Sequence, residues 1–510
     1  MTEAEALQPS TPLQKKVLVV AIVASFIAIL DGFVVNLALP AIGRELGGGL
    51  VIQQWVVDAY LLTLGALILV AGSLSDHFGR ARILQWGLAG FALTSVMCGL
   101  AWNGEILVVS RALQGIAGAL LVPSSLAMIV TSFSGPAQSK AIGQWSGWTS
   151  AAAIVAPLIG GVSVDLLSWR VIFFINVVPA AAIWPMLASL RASDAARDKS
   201  QRIDYPGAVL AMIGLGGPVF AFIEQGRLGW GSPFVWAPLL LGAVALGFFL
   251  FHEGRTADPM LPLRLFAIRN FGWGNLATLA MYGGISLGFF VLGIYLQQVG
   301  GMGATLAGIA LLPGTVILML TASYFGGLAG KYGPRWFMAA GPLLCGVGFL
   351  MSLSVQEPLD YWTQVFPGQV VFGLGLATLV APLTAAILGA VPPEEAGIGS
   401  AVNNAVARIA GLICIAFAGL IVGPVFTRDG LYNALLVTAG LFVLGAVASA
   451  VGIRNPVRDT AGAAAGDASG RERRRRSSRS ACLTWVPGRV SRRRGRSLRG
   501  HRCSGPTAPR

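Results

Sequence analysis

Fourteen apolar runs, near 17–40, 54–75, 82–101, 106–131, 141–164, 169–190, 206–223, 234–252, 271–297, 304–329, 336–355, 361–390, 401–424 and 430–452, set the terms for everything else in this chain. About 20 apolar residues carry a helix across the roughly 30 Å hydrocarbon core of a bilayer. Backbone in lipid has to satisfy its own hydrogen bonds, so runs of this length predict spanning helices and little else. The sequence therefore predicts an all-α integral membrane protein of 14 spans. The first run is too long for a signal-peptide core and lacks a small-residue cleavage site, so it is expected to remain in place.

Charge enters the argument at this point. Of the 510 residues 55% are hydrophobic and 11% charged, with a mean hydropathy of +0.72, yet the net charge is +14. Residues 1–470 carry 22 Lys and Arg against 21 Asp and Glu, while 471–510 hold the other 14 arginines. The body is nearly neutral and gives no footprint for nucleic acid. The arginine-rich end shows no apolar periodicity and is expected to be a disordered tail, either attracted to anionic lipid or the product of a reading-frame slip. Five cysteines stand singly without disulfide or metal spacing. No G-x-x-x-x-G-K-[ST] loop is present, which excludes an ATP-driven pump on this chain, and the three histidines, His77, His252 and His501, form no metal pair. The chain is not expected to be an enzyme, to hold a metal or to need a cofactor.

Short loops between the runs alternate in charge. One set collects Arg80, Arg82, Lys140, Arg191, Arg197, Lys199, Arg202, Arg255, Arg264, Arg269, Lys331 and Arg335, and the other only Arg44, Arg170, Arg227 and Arg428. By the positive-inside rule both chain ends are cytoplasmic. The loop after the second span, "GSLSDHFGR" from Gly72, has a counterpart in "GGLAGKYGP" from Gly326, with the same spacing between Gly72 and Gly79 as between Gly326 and Gly333. Two six-span halves with an inserted pair account for this repeat, and paired halves are how secondary transporters alternate access. The divisions are 1–16 for the amino terminus, 17–190 and 271–452 for the two bundles, 191–270 for the linker with spans 7 and 8, and 453–510 for the tail.

These residues resemble the major facilitator superfamily, and within it the fourteen-span drug:proton antiporters of the EmrB/QacA type. "GSLSDHFGR" is similar to the superfamily's G-x-L-x-D-x-x-G-R loop; "LDGFVVNLALP" from Leu30 is similar to the group's span-1 signature, with Phe33 where threonine is usual. "SRALQGIAGA" from Ser110 resembles the span-4 motif, and "AAAIVAPLIGG" from Ala151 the span-5 antiporter motif, with Ala152 and Ala156 in place of two glycines. "SWRVIFFINVVP" and "IDYPGAVL" are similar to stretches at the same places in the group. The resemblance implies a proton-coupled exporter of small lipophilic or cationic compounds, in a bacterial plasma membrane, working as a monomer by alternating access. It implies that Gly72, Asp76, Gly79 and Arg80 form a loop that stabilises one access state, and that Pro157, Gly160 and Gly161 belong to a sealed span-5 interface.

Charges inside spans are costly and mark pathways. Asp31, Asp58 and Arg111 lie within spans 1, 2 and 4, all toward the outer part of the first half. Asp31 is the first candidate for the proton-coupling site, and Asp58 a candidate for the same role or for a cationic substrate; a fixed Asp–Arg pair that only holds helices together is the alternative. In span 13, Asn403, Asn404 and Arg408 are candidates to line the cavity, with interhelical hydrogen bonding as the other reading of the asparagines. Glu224 and Gln225 read as boundary residues of span 7. A nutrient importer of the same superfamily, or a sensor with the same fold, are the alternatives to export.

Overall fold

The computed structural model describes residues 11–190, 204–256, 259–356, 358–392, 395–423 and 426–455, apart from the side chains of Asp76, Pro136, Ser139 and Ala396. The first ten residues, the 191–203 connection and the arginine-rich tail lie outside the described residues. The described residues contain helices and short connections and no strand. In chain order the helices are α1 (Pro12–Leu46), α2 (Gly49–Phe78), α3 (Arg80–Gly99), α4 (Gly104–Ser132), α5 (Gly135–Leu166), α6 (Val171–Leu190) and α7 (Tyr205–Leu228). They continue with α8 (Pro233–Glu253), α9 (Arg269–Gln298), α10 (Ala304–Tyr332), α11 (Arg335–Ser354), α12 (Tyr361–Leu388), α13 (Gly397–Val422) and α14 (Arg428–Gly452).

Thirteen of these are long and apolar enough to cross a membrane. The remaining one, α3, is helical over its predicted run, but Arg80, Arg82, Gln85 and Trp86 load its first turns with polar groups. Packing on α4 and α6 holds it in place. Helix α1 corrects a predicted boundary: it continues through Pro40 to Leu46, because Pro40 and Ile42 are buried and tertiary contacts outweigh the one lost backbone bond.

Sequence chemistry explains the ends. Thr11 and Gln14 form a reciprocal capping box on α1, and the side chains of Asn103, Asp204 and Thr427 accept from Ile106 N, Gly207 N and Gly430 N at the starts of α4, α7 and α14. The repeated loop is the same turn twice. Gly79 (φ 99°) and Gly333 (φ 90°) occupy the left-handed region that glycine alone takes at little cost, and each closes its preceding helix by donating to Ser75 O (3.1 Å) or Ala329 O (2.8 Å).

Helices α1 to α6 pack among themselves, principally α2 and α3 on α4 and α1 on α5; α9 to α14 form a second group, with α12 between α10 and α11 and α14 against α9 and α11. The inserted pair α7–α8 packs mainly on itself and leans on α2 through α7. The two groups meet along α2–α13 and α5–α10, with a lesser contact of α1 on α9. Alternation over fourteen helices puts Thr11 and Asn455 on one side, called here the terminal side, with the repeated turns; the opposite side is the far side.

Candidate transport site

Two charged side chains anchor the first group of helices. Asp31 on α1 and Arg111 on α4 are buried to 0% and 1% exposure and form an ion pair of 2.5 Å between Asp31 Oδ2 and Arg111 Nη1. Isolated charges would not survive there, and a buried pair holds only when its remaining donors and acceptors are met. Here they are met by uncharged neighbours. Gln114 Nε2 donates to Asp31 Oδ1 (3.1 Å) and to Ser95 Oγ (2.9 Å), while its Oε1 accepts from Arg111 Nη1 (2.6 Å). Asn176 Nδ2 donates to Asp31 Oδ1 (2.8 Å), Arg111 Nε donates to Val56 O (3.0 Å), and the Tyr60 ring lies 4.3 Å from the guanidinium carbon. The knot ties α1, α2, α3, α4 and α6 together and stays within one half.

Asp58 does not join it. It is fully buried on α2, one helical turn from Gln54, and neither carboxyl oxygen has a hydrogen-bond partner among the described residues. It lies on the α2 face between Gln54, whose Nε2 donates to Ile415 O of α13, and Leu61, whose Cδ1 stands 3.8 Å from the place of a Cβ on Gly411 of α13, which puts it toward the seam between the halves. On that seam, further toward the terminal side, Gly65 of α2 faces Arg408 of α13, with 3.6 Å between the Cβ of Arg408 and the place where a Cβ on Gly65 would stand. A buried carboxyl and an arginine residue therefore share one seam without a hydrogen bond between them, Gly65 opposite the arginine standing about two turns along α2 from Asp58.

The asparagine candidates separate. Asn403 Nδ2 donates to Asn275 Oδ1 (3.1 Å) and Thr278 Oγ1 (2.8 Å) of α9, so it fastens α13 to α9 within the second half. Asn404 is exposed and bonds back to Ser400 O of its own helix (3.2 Å). Neither bonds Arg408.

In the loop motif, Gly79 is the N-cap of α3 and offers it no side-chain cap, Gly72 has open space where a Cβ would stand, Arg80 begins α3, and the Asp76 side chain lies outside the described residues. The span-5 residues are contact residues. A Cβ on Gly160 would meet Val34 Cγ2 at 2.3 Å, one on Gly161 would meet Thr305 Cα at 2.4 Å, and the Cβ of Pro157 stands 2.9 Å from where a Cβ on Gly308 would be. Pro157 and Gly161 thus let α5 touch α10, and Gly160 lets α5 touch α1. Ala152 and Ala156, in place of glycines, are fully buried without such a clash. Toward the terminal side the same two helices touch less: α5 meets α10 mainly at residues 304–310, and Gly143, Gly147, Gly327 and Gly330 are exposed, with nothing within 4 Å of a built Cβ among the described residues. The seam is closed on the far side and loosens toward the terminal side.

Glu224 is more than a boundary residue. It is buried, accepts 2.8 Å from Trp55 Nε1 of α2 and pairs with Arg227, so it ties α7 to the first half. Gln114, Asn176 and Ser95 were not singled out in the sequence. Their one signal was an uncharged polar residue inside an apolar run, too common in spanning helices to select them. Glu45 at the far end of α1 also gathers partners, Trp169 Nε1 (2.6 Å) and Arg170.

The comparisons with known proteins agree with this architecture. The family model described as Major Facilitator Superfamily matches residues 21–325 and again 276–494. The puromycin resistance protein pur8 of Streptomyces alboniger is 34% identical over 418 residues, 81% of this chain and 83% of that one. The methylenomycin A resistance protein of Streptomyces coelicolor is 30% identical over 450 residues (88% and 94%), and the tetracenomycin C resistance and export protein of Streptomyces glaucescens 32% over 405 (78% and 74%). Among solved structures, the peptide transporter POT in complex with sulfate superposes with a TM-score of 0.64 at 16% identity, over 86% of this chain and 94% of that one. An all-helical chain of two six-helix bundles with a central inserted pair, matched by that family model and by such relatives over most of its length, belongs to the major facilitator superfamily.

Proposed function

We propose that this chain exports small, mostly lipophilic or cationic organic compounds in exchange for protons, giving resistance to an antibiotic or releasing a metabolite. Full-length relatives named for resistance and export support the direction of transport. The coupling rests on one observation, the buried and unpartnered carboxyl of Asp58 on the seam between the halves. A dry site without a donor accepts a carboxyl group in its neutral form. Parting of α2 from α13 admits water and lets it ionise. Asp31 is tied to Arg111, Gln114 and Asn176 in this conformation, so it acts here as an anchor.

The lysine and arginine bias of the loops supports a cytoplasmic terminal side, in a bacterial plasma membrane, with both chain ends inside. The described conformation is then closed to the outside. A substrate enters between the loosened terminal-side helices, a proton leaves Asp58 to the cytoplasm, and reversal of the seam delivers substrate outward and reloads the carboxyl. The proton gradient is the only energy source this needs: each proton moving down 100 mV supplies about 2.3 kcal/mol. One chain contains both halves of the seam, so a monomer in lipid suffices, and no cofactor takes part.

The test uses everted membrane vesicles with an imposed pH gradient and ethidium as substrate. Wild type is expected to dissipate the gradient on substrate addition, and Asp58→Asn to lose this while still binding ethidium. Dissipation retained in Asp58→Asn but lost in Asp31→Asn would move the coupling site to Asp31. No response to a broad panel of compounds by folded wild type would favour an importer or a sensor.

A further inference from the structure

Both far-side seams between the halves end in the same chemical device. Helix ends leave backbone groups without intrahelical partners, normally met by a capping side chain next to the end itself. Helix α10 begins after Gly303, which has no side chain to offer, and its first amides turn to the other half: Ala304 N donates to Asp165 Oδ1 and Thr305 N to Asp165 Oδ2, both 2.8 Å, from the last turn of α5. The glycines there are shaped to this contact. A Cβ on Gly303 would stand 2.9 Å from Asp165 Oδ2, and one on Gly161 would run into Thr305 Cα.

The second seam inverts the polarity. Helix α13 is interrupted at Phe417, and the carbonyls of Ile415 and Ala416 at the interruption accept 2.7 and 3.0 Å hydrogen bonds from one amide nitrogen, Gln54 Nε2 of α2. Gln54 is fully buried, and Gly419 beyond the break leaves room for it, 3.0 Å separating its Oε1 from a built Cβ. One half thus supplies an acceptor to the start of a helix in the other, and a donor to the broken end of a second.

We propose that these two borrowed caps, Asp165 on α10 and Gln54 on α13, are the latches that keep the far side closed, so that each parting of the halves there uncaps two helix ends at once. The proposal rests on the alternating-access reading but not on the substrate or the proton. Water can meet the freed groups once the seam opens, so each latch sets a modest preference and the closed state stays reversible. The other polar cluster at the far ends, Glu45 with Trp169 and Arg170, joins residues of one half only and is no latch.

The experiment measures distance rather than transport. Cys98, Cys345, Cys414, Cys482 and Cys503 are replaced by serine or alanine in the full chain, spin labels are placed through Trp102→Cys in the α3–α4 connection and Trp362→Cys in the first turn of α12, both exposed on the far side of the two halves, and electron–electron double resonance is recorded in lipid nanodiscs. Two nearly isosteric swaps test the caps: Asp165→Asn turns an N–H group toward the α10 amides, and Gln54→Glu turns a carboxylate toward the α13 carbonyls. Each is expected to raise the ratio of long to short distances roughly tenfold, with the double variant close to the product, and Glu45→Gln to leave it unchanged. A distribution like wild type in both swaps, in monodisperse protein, overturns the proposal, as does an equal shift from Glu45→Gln. If Asp165→Asn fails to fold, Gln54→Glu and Gln54→Ala carry the test alone. Loss of ethidium transport in the swaps with unchanged distances would count against the latch and leave the export reading standing, whereas shifted distances without transport by wild type would uphold the latch and remove only the export reading.

Discussion

The two halves repeat one helical plan and fill it with opposite chemistry. In the first, Asp31, Ser95, Arg111, Gln114 and Asn176 make a buried polar knot. In the second, the corresponding depth is phenylalanine: Phe289 lies 5.9 and 5.2 Å from Phe349 and Phe372, Phe349 lies 5.1 Å from Phe372, and Phe442 stacks 5.9 Å from Phe349. The register is shared, since Ser95 and Phe349 each stand sixteen residues after their turn glycine, Gly79 and Gly333. A duplicated fold fixes where helices cross and leaves open what they carry. The aromatic half is held by dispersion and shape and is stiff without being directional, whereas the polar half depends on every donor staying in place.

The largest effect is expected from breaking the knot on one side. Arg111→Met leaves a carboxylate buried without its partner and should cost about 3–5 kcal/mol, visible as a steep fall in thermal denaturation temperature and as loss of transport. The double change Asp31→Leu with Arg111→Met makes the first half resemble the second; it should recover most of that stability and none of the transport. A double variant as unstable as the single one would mean that the knot is needed for folding beyond its charge. Phe349→Ala is expected to follow at about 3 kcal/mol, the low end for a truncated phenylalanine because Phe289, Phe372 and Phe442 can close on the gap, with pH-gradient dissipation kept in the protein that folds. Asn176→Leu should cost about 2 kcal/mol by removing one donor from Asp31, against less than about 1 for Leu292→Met in the aromatic half. Smallest is the turn: Gly79→Ala should cost about 1–2 kcal/mol for its positive φ, and Gly333→Ala somewhat more, because a Cβ there would also meet Asn455 Cγ at 2.3 Å; equal costs in thermal denaturation would show that Asn455 yields freely.

How much of this the sequence carried follows from which physics acts locally. Spanning helices were legible because oil demands long apolar runs, and even α3 emerged, with its arginines at the end where a span meets water. The turn glycines showed as a repeat because positive φ selects glycine wherever it occurs. Asp31, Asp58 and Arg111 stood out because charge in a span is costly, but the sequence could not say which carboxyl was paired; that needed the positions of Gln114 and Asn176 on other helices. Asp165 and Gln54 looked like ordinary polar residues near helix ends. Their partners are backbone groups, which have no identity in a sequence, so no pattern could name them. For Asn403 the sequence allows cavity lining or interhelical hydrogen bonding, and the bonds to Asn275 and Thr278 depend on a helix more than a hundred residues away that no local pattern names.

The inserted hairpin has a backbone-close seam of its own. A Cβ on Gly217 of α7 would meet Pro238 O at 2.2 Å, and Gly242 of α8 faces Gly217 in return at 3.0 Å. Being packed mainly on itself, such a unit asks little of its neighbours beyond the Glu224–Trp55 bond and the apolar contact of Val219 and Ile223 with Leu412 and Ala416 of α13. Being a pair, it also preserves parity: a single added helix would turn the whole second half inside out, whereas two leave every later loop on the side it already faced. A ready-made hairpin is thus the smallest increment by which a transporter of this plan can grow between its halves and still rock as before.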